Sequence, residues 1–386
     1  MKIGIFTETF LPQINGVVVS ICNLNRILIK KHNITVFTTG ERKQVSHEIL
    51  NGYDIYRFRS VIFRPYPEYR ILLPNHESWN KIKSNQFDIL HSRTPFTLGI
   101  IAKKYAQTTQ TPLVGTFDTP IFDYIHYIPF FGSVQPTKYF LQKIAKTYSR
   151  EYYNWCDLII VPSFITKKQL LSFGFKDNIE VLSNGVDTNL YTENKKDEKL
   201  KKKICTKGEK LILHVGRITK EKKADSLIRI AKNLQEKNIK FKMVIVGGGP
   251  YLNKLKHLVN SLDLKEKIIF TGYLDKTHLP AYYATADVFL TGSTVETQGI
   301  VLLESLASSL PVIGANAGAI PELIKNGKNG FVFDPENFEQ ASSLIGEVLA
   351  DENLRKDLAK NCKPSIRGHE IESIAAKLEK IYKNLI

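Results

Sequence analysis

The chain has 386 residues, 43% of them hydrophobic. That is too long for one ordinary core, about right for two α/β domains, and excludes disorder as a description of the whole. Its formal net charge of +16 is spread over both halves without a basic tail, which suits nucleotide diphosphates, acidic lipid surfaces or nucleic acid, although a chain with solvated Lys faces would read the same.

Residues 2–7 (KIGIFT) form an apolar run that predicts a strand. No basic region followed by a long apolar stretch stands there, so no secretory signal is read. Nor does any run of about 18 apolar residues suggest a spanning helix. A cytoplasmic protein is expected, soluble or peripheral on the inner face of the membrane. The four scattered cysteines (Cys22, Cys156, Cys205, Cys362) have no CxxC spacing and fit a reducing compartment better than a disulfide frame or zinc site.

A glycine-containing loop at 12–16 leads into a helical stretch at 17–31 and a second strand at 33–38. Residues 89–91, 112–116 and 158–162 read as further buried strands. Short strands separated by helical stretches are the pattern of right-handed βαβ units on a parallel sheet. A Lys-rich surface stretch at 193–210 precedes a second series of strands at 211–215, 242–246, 268–270, 288–290, 311–314 and 330–333. The fold class is therefore α/β, with two doubly wound units, expected at 1–176 and 177–365. The last helix, within 366–386, carries Ile371, Ile374, Ala375, Leu378, Ile381 and Tyr382 on one face. Its partner is open, a return to the first domain being one option.

Strand-then-glycine junctions suit phosphates, because backbone can approach closely and a helix N-terminus presents free N–H groups. Gly216 and Arg217 follow one strand, with Lys222 five residues beyond the arginine, and Gly247-Gly248-Gly249 follow another. A diphosphate leaving group needs compact positive charge where no metal neutralises it, and Arg217 with Lys222 would supply it. Two solvated surface residues would look identical. Glu296 stands in a loop before Gly299, and Glu304 about one turn into the apolar helix that follows. One carboxylate could hold sugar hydroxyls and the other the vicinal hydroxyls of a ribose. A solvated and a capping Glu remain equally compatible with the spacing.

The ordered set of residues 8–18 (ETFLPQINGVV), 184–187 (NGVD), 216–222 (GRITKEK), 246–250 (VGGGP), 294–304 (TVETQGIVLLE) and 315–323 (ANAGAIPEL) resembles retaining glycosyltransferase family 4. This is the GT-B fold, two Rossmann-like domains facing a cleft. Within it the chain looks most like enzymes that glycosylate diacylglycerol, which carry ETQG and a motif matched here by Asp123, Tyr124, His126 and Tyr127 on the acceptor side. The resemblance implies a nucleotide-diphosphate sugar as co-substrate, UDP-glucose first among the candidates, no tightly bound cofactor and no metal requirement. It places Glu296 on the transferred sugar, Glu304 on the ribose, and Arg217 and Lys222 on the diphosphate. Backbone of Gly16, Gly216, Gly248, Gln298, Gly299, Ile300 and Val301 would assist, with Tyr273 bordering the base. One departure stands out. Where the family usually has a histidine near the donor sugar, this chain has Asp118, whose charge would repel a diphosphate; either it reads a sugar hydroxyl instead or the site is displaced.

A lipid acceptor requires docking on a bilayer. Residues 57–70 (RFRSVIFRPYPEYR) and 121–155, which contains Lys138, Lys143, Lys146 and Arg150 among aromatics, mix basic and apolar side chains as a lipid interface does. A nucleic-acid groove or an aromatic core beneath solvated lysines would share that composition. No nucleic-acid module is recognisable, so no nucleic-acid partner is expected. Two rivals remain: the same chemistry on a soluble or polyprenyl-linked glycan acceptor, and a nucleotide-sugar-binding protein without catalysis. A dinucleotide-dependent dehydrogenase fits poorly, since residues 2–16 lack a compact GxGxxG.

Overall fold

The computed structural model describes residues 1–41, 45–63, 69–123 and 135–386, with backbone alone at 135 and 136. Tyr124, His126 and Tyr127 of the acceptor-side motif fall outside these residues. The chain divides into two units, Met1–Asn184 with Ile371–Ile386, and Gly185–Glu370.

The first unit runs β1 (Lys2–Phe6), α1 (Gly16–Leu28), β2 (Asn33–Gly40), β3 (Ser46–Leu50), β4 (Tyr53–Ile62), β5 (Arg70–Leu72), α2 (His76–Lys83), β6 (Ile89–Ser92), α3 (Thr97–Thr109), β7 (Leu113–Thr116), α4 (Gln135–Tyr153), β8 (Leu158–Val161), α5 (Phe164–Ser172) and β9 (Ile179–Val181). Its sheet has the order β3-β4-β2-β1-β6-β7-β8-β9, with β5 pairing β4. Strands β3 and β5 are antiparallel to β4, and the remaining pairs are parallel. Central strands such as β6 are buried along their whole length, which is why they read as unbroken apolar runs. The order turns at β1, whose neighbours β2 and β6 lie on opposite sides.

The second unit runs α6 (Glu198–Ile204), β10 (Lys210–Val215), α7 (Ala224–Glu236), β11 (Phe241–Val246), α8 (Leu252–Ser261), β12 (Ile268–Gly272), α9 (Leu279–Thr285), β13 (Val288–Thr291), α10 (Ile300–Ala307), β14 (Val312–Ala315), α11 (Ile320–Leu323), β15 (Gly330–Phe333), α12 (Phe338–Ala350) and α13 (Glu352–Ser365). Its sheet, β12-β11-β10-β13-β14-β15, is parallel throughout and turns at β10.

Two boundaries differ from the expected 176/177 and 365/366. Strand β9 pairs with β8 through Ile159↔Ile179 and Val161↔Val181, so the first sheet extends beyond residue 176. The terminal helix α14 (Ile371–Leu385) packs with α1. Ile371, Ile374, Ala375, Leu378 and Tyr382 share a core with Ile21, Leu24 and Leu28. The Tyr382 hydroxyl also lies 2.5 Å from Nδ1 of His91 on β6, which ties the helix to the middle of the first sheet.

Candidate active site

In open parallel sheets, ligands bind beyond the carboxyl ends of the strands where the order turns. In the second unit that point lies at the ends of β10 and β13. The loops after β10, β11 and β12 are sewn together there by backbone. Gly216 N–H donates to the Val246 carbonyl at 3.0 Å, Ile218 N–H to Gly248 at 2.9 Å, and Gly247 N–H to Gly272 at 2.8 Å. A Cβ at Gly247 would stand 2.0 Å from the Gly216 carbonyl oxygen, and its φ of +127° is itself a glycine conformation. Tyr273 lays its ring on Gly248 and directs its hydroxyl to the Gly248 carbonyl at 3.3 Å.

Lys222 follows this stitched loop, and its Nζ lies 2.8 Å from Oε1 of Glu296. The two residues are 74 apart in sequence and both side chains are partly shielded, at 23% and 13% exposure. Such shielding strengthens a pair beyond the usual surface salt bridge. Glu296 is held by backbone too, since its carbonyl accepts the Ala319 N–H at 2.9 Å. Gly299, at φ +86°, turns the chain into α10, so Ile300 and Val301 open the helix with their N–H groups at its positive end. No acidic residue occupies that first turn. Gln298 is buried and Arg217 half-buried.

Glu304 is the fifth residue of α10 and is buried. Its carboxylate accepts from the Tyr283 hydroxyl at 2.8 Å and from Tyr191. Desolvation pushes its pKa up to about 7, against the two phenols, which favour the charged form. His214, on β10, is buried as well, with Nδ1 2.8 Å from the Leu290 carbonyl oxygen. Burial holds its pKa down to about 4, opposed by the Leu290 carbonyl and by Glu296.

The first unit has its own cluster at the ends of β1, β6 and β7. Asn15 caps α1 by accepting the Val18 N–H at 3.0 Å, which places Gly16 at the first position of that helix. Arg93 Nη2 pairs with Asp118 Oδ2, the side chains being 4% and 7% exposed, and also donates to Ser20 Oγ on α1 at 3.0 Å. The charge expected of Asp118 therefore does not stand alone, because a guanidinium offsets it. Glu8 is buried beside them and accepts from Thr94 Oγ1 and the Leu98 N–H. Desolvation carries its pKa up to about 7. Asp123 closes a turn, its N–H donating to the Pro120 carbonyl at 2.9 Å.

Within the second unit, Lys222 and Glu296 thus meet at the β10–β13 turning point, and Gly216, Gly248, Tyr273 and the start of α10 belong to loops at the same strand ends. Asp118 and Gly16 belong to the first unit. Four residues that the sequence did not single out matter here: Arg93, His214, Tyr191 and Tyr283. Arg93 and Asp118 are 25 residues apart on separate strand ends, and no spacing rule links them. For His214 the available signal was a polar residue inside the apolar run LILHV.

Comparison with known proteins adds the family. A model described as Glycosyltransferase Family 4 matches residues 14–190, and one described as Glycosyl transferases group 1 matches residues 195–364. An alpha-monoglucosyldiacylglycerol synthase of Streptococcus pneumoniae is 30% identical over 363 residues, covering 92% of this chain and 80% of the relative. The synthase of the same name from Acholeplasma laidlawii is 27% identical over 395 residues, covering 100% and 98%. Among solved structures, the Anabaena protein HepE in complex with UDP and glucose superposes with a TM-score of 0.80 at 17% identity, over 100% of both chains. Matched in both halves and 30% identical to a relative across 92% of its length, the chain belongs to glycosyltransferase family 4 and is a glycosyltransferase of the GT-B fold.

Proposed function

We propose that this enzyme moves a hexose from a nucleotide-diphosphate sugar, UDP-glucose first, to a lipid acceptor such as diacylglycerol at an anionic membrane surface, with retention of configuration. The observation that carries this reading is the Lys222–Glu296 pair at the turning point of the second sheet. It sets a cation for the leaving diphosphate beside a carboxylate for the sugar hydroxyls. The likeness to two diacylglycerol glycolipid synthases and a structural neighbour bound to UDP and glucose support the choice of acceptor and donor.

The second unit binds the donor. Arg217, Lys222 and the first N–H groups of α10 receive the diphosphate, Glu304 takes the ribose, and Tyr273 borders the base. As the bond between the anomeric carbon and the phosphate oxygen breaks, charge grows on the departing diphosphate. Donors already aimed at that charge lower the barrier most. The acceptor hydroxyl attacks from the same face, and its proton passes to the leaving phosphate oxygen. Asp118, neutralised by Arg93, accepts from a substrate hydroxyl without adding net negative charge.

The first unit supplies the membrane face. Tyr139, Phe140 and Ile144 of α4 are 74%, 62% and 49% exposed, and Lys143 is exposed among them. The antiparallel β4–β5 ribbon exposes Val61, Ile62 and Ile71. Tyr148 of α4 donates to the Pro95 carbonyl, and the Tyr69 ring meets Phe96. Both surfaces are thereby anchored to the turn that directly follows Arg93 and Thr94. No helix of the described residues is long and apolar enough to cross a membrane, and the proposed attachment is through these exposed side chains. Co-sedimentation with vesicles containing anionic lipid tests it: binding that weakens with salt is expected, and no binding with activity on a soluble glycan would reject the lipid acceptor.

A further inference from the structure

The donor reading assigns Glu304 to the ribose but leaves open what holds that carboxylate in place. It is a costly group to bury, since α10 is almost wholly apolar around it: Leu302, Leu303, Leu306 and Ala307 are all inaccessible. Two phenols meet it. Tyr283 comes from α9, its hydroxyl 2.8 Å from Oε2. Tyr191 comes from the segment ahead of α6, four residues beyond Asp187. The two rings pack edge to face with centroids 5.6 Å apart, and Tyr283 stacks on Phe289 of β13 at 5.9 Å. Neither phenol is free to turn away, because both side chains are buried.

A phenol O–H donates and a carboxylate accepts, so this triad favours the ionised carboxylate over the protonated one. Burial acts the other way. The balance leaves the group titrating near 7, with Lys276 in the loop ahead of α9 the further charge that favours ionisation. Cys362 of α13 is a buried member of the hydrophobic cluster that also contains Tyr191 and Tyr283. Without the phenols, only Lys276 would oppose desolvation, and the carboxyl would shift further toward its protonated form.

We infer that Tyr191 and Tyr283 are positioning residues for the donor's ribose: they clamp the Glu304 carboxylate in its charged form and fix its orientation, so that it can accept from the vicinal hydroxyls of a nucleoside. This inference rests on the proposed donor role of Glu304. A protonated Glu304 accepts poorly, so donor binding weakens as pH falls through the titration of this group. Removing one donating hydroxyl moves that midpoint upward, by about one pH unit for a charge-assisted hydrogen bond.

The experiment is isothermal titration of UDP-glucose into the wild-type enzyme, Tyr283→Phe, Tyr191→Phe and Glu304→Gln from pH 6 to 8.5. Phenylalanine keeps the ring and its packing, and the melting curve of each variant reports folding. Wild-type affinity is expected to rise with pH through about 7. Tyr283→Phe should bind about fivefold more weakly at pH 7, with the gap closing toward pH 8.5, and Tyr191→Phe should behave alike. Glu304→Gln should bind weakly without this pH dependence. A Tyr283→Phe profile that superposes on the wild type, or lies below it by the same factor at every pH, overturns the inference while leaving Glu304 as the ribose ligand. Wild-type affinity in Glu304→Gln overturns the ribose reading and the inference together.

Discussion

Lys222 is the residue on which the proposed chemistry depends most. Its ammonium is paired with Glu296, and a cation held in place loses little freedom when a diphosphate arrives. Lys222→Ala is expected to lower turnover by about a hundredfold or more, as removal of a preorganised charge donor does elsewhere. Near-normal steady-state rates would sink the assignment. Glu304 carries a second prediction, for stability. Its folded pKa, about 7, lies above the 4.5 of an unburied glutamate. Its burial is therefore harmless below about pH 4.5 and costs stability progressively as pH rises through 7, up to about 3 kcal/mol. Glu304→Gln should gain on the wild type between pH 5 and pH 8 in parallel unfolding curves. A gap that stays constant across that range contradicts the buried, raised carboxyl. Arg93 and Asp118 form the residue pair that could not be read in advance. Asp118 alone looked like an awkward negative charge, and only the fold brings β6 and β7 together so that Arg93 meets it.

At the scale of elements, α4 shows why composition left the membrane question undecided. The same 19-residue helix sends Tyr152 and Tyr153 into the core of the first unit and leaves Tyr139 and Phe140 outside. Lys146 lies over the rings of Phe122 and Phe173, so part of the basic and aromatic stretch is internal packing and part is surface. Composition averages over turns of one helix that face opposite ways, so it could not separate core packing from exposed surface. Replacing Tyr139 and Phe140 together with Ser removes two exposed aromatics that a bilayer would bury. Vesicle binding should fall at least tenfold for about 1.5–3 kcal/mol per ring, with the melting temperature unchanged. Equal sedimentation of the variant would move the docking face elsewhere. Helix α14 makes the opposite case, since its apolar stripe was legible and its partner was not. Leu378 is buried against α1, and Leu378→Ala should cost about 2–5 kcal/mol in urea unfolding of the first unit. A change below about 0.5 kcal/mol, typical of surface positions, would contradict that packing.

For the whole molecule, the two doubly wound sheets were legible because parallel strands buried on both faces read as apolar runs, each ending in glycine or small polar residues. The glycine loops where donor binding is proposed were legible for the same reason, since Gly216, Gly247 and Gly299 mark where strand gives way to loop or helix. The edges were not. Strand β9 is three residues long, too short for periodicity to register. Partners distant in sequence, such as Tyr283 for Glu304 or Tyr382 for His91, exist only once the chain has folded. Family membership fixes the class of reaction, and what remains is the direction in which the glycosidic bond forms and on what. The most direct measurement incubates the purified enzyme with UDP-glucose and diacylglycerol in anionic vesicles and determines the mass and anomeric configuration of the product. A single glucose in α-linkage on the lipid is predicted. A β-linked product, or no lipid product with any nucleotide sugar while a soluble acceptor is glycosylated, would contradict the account.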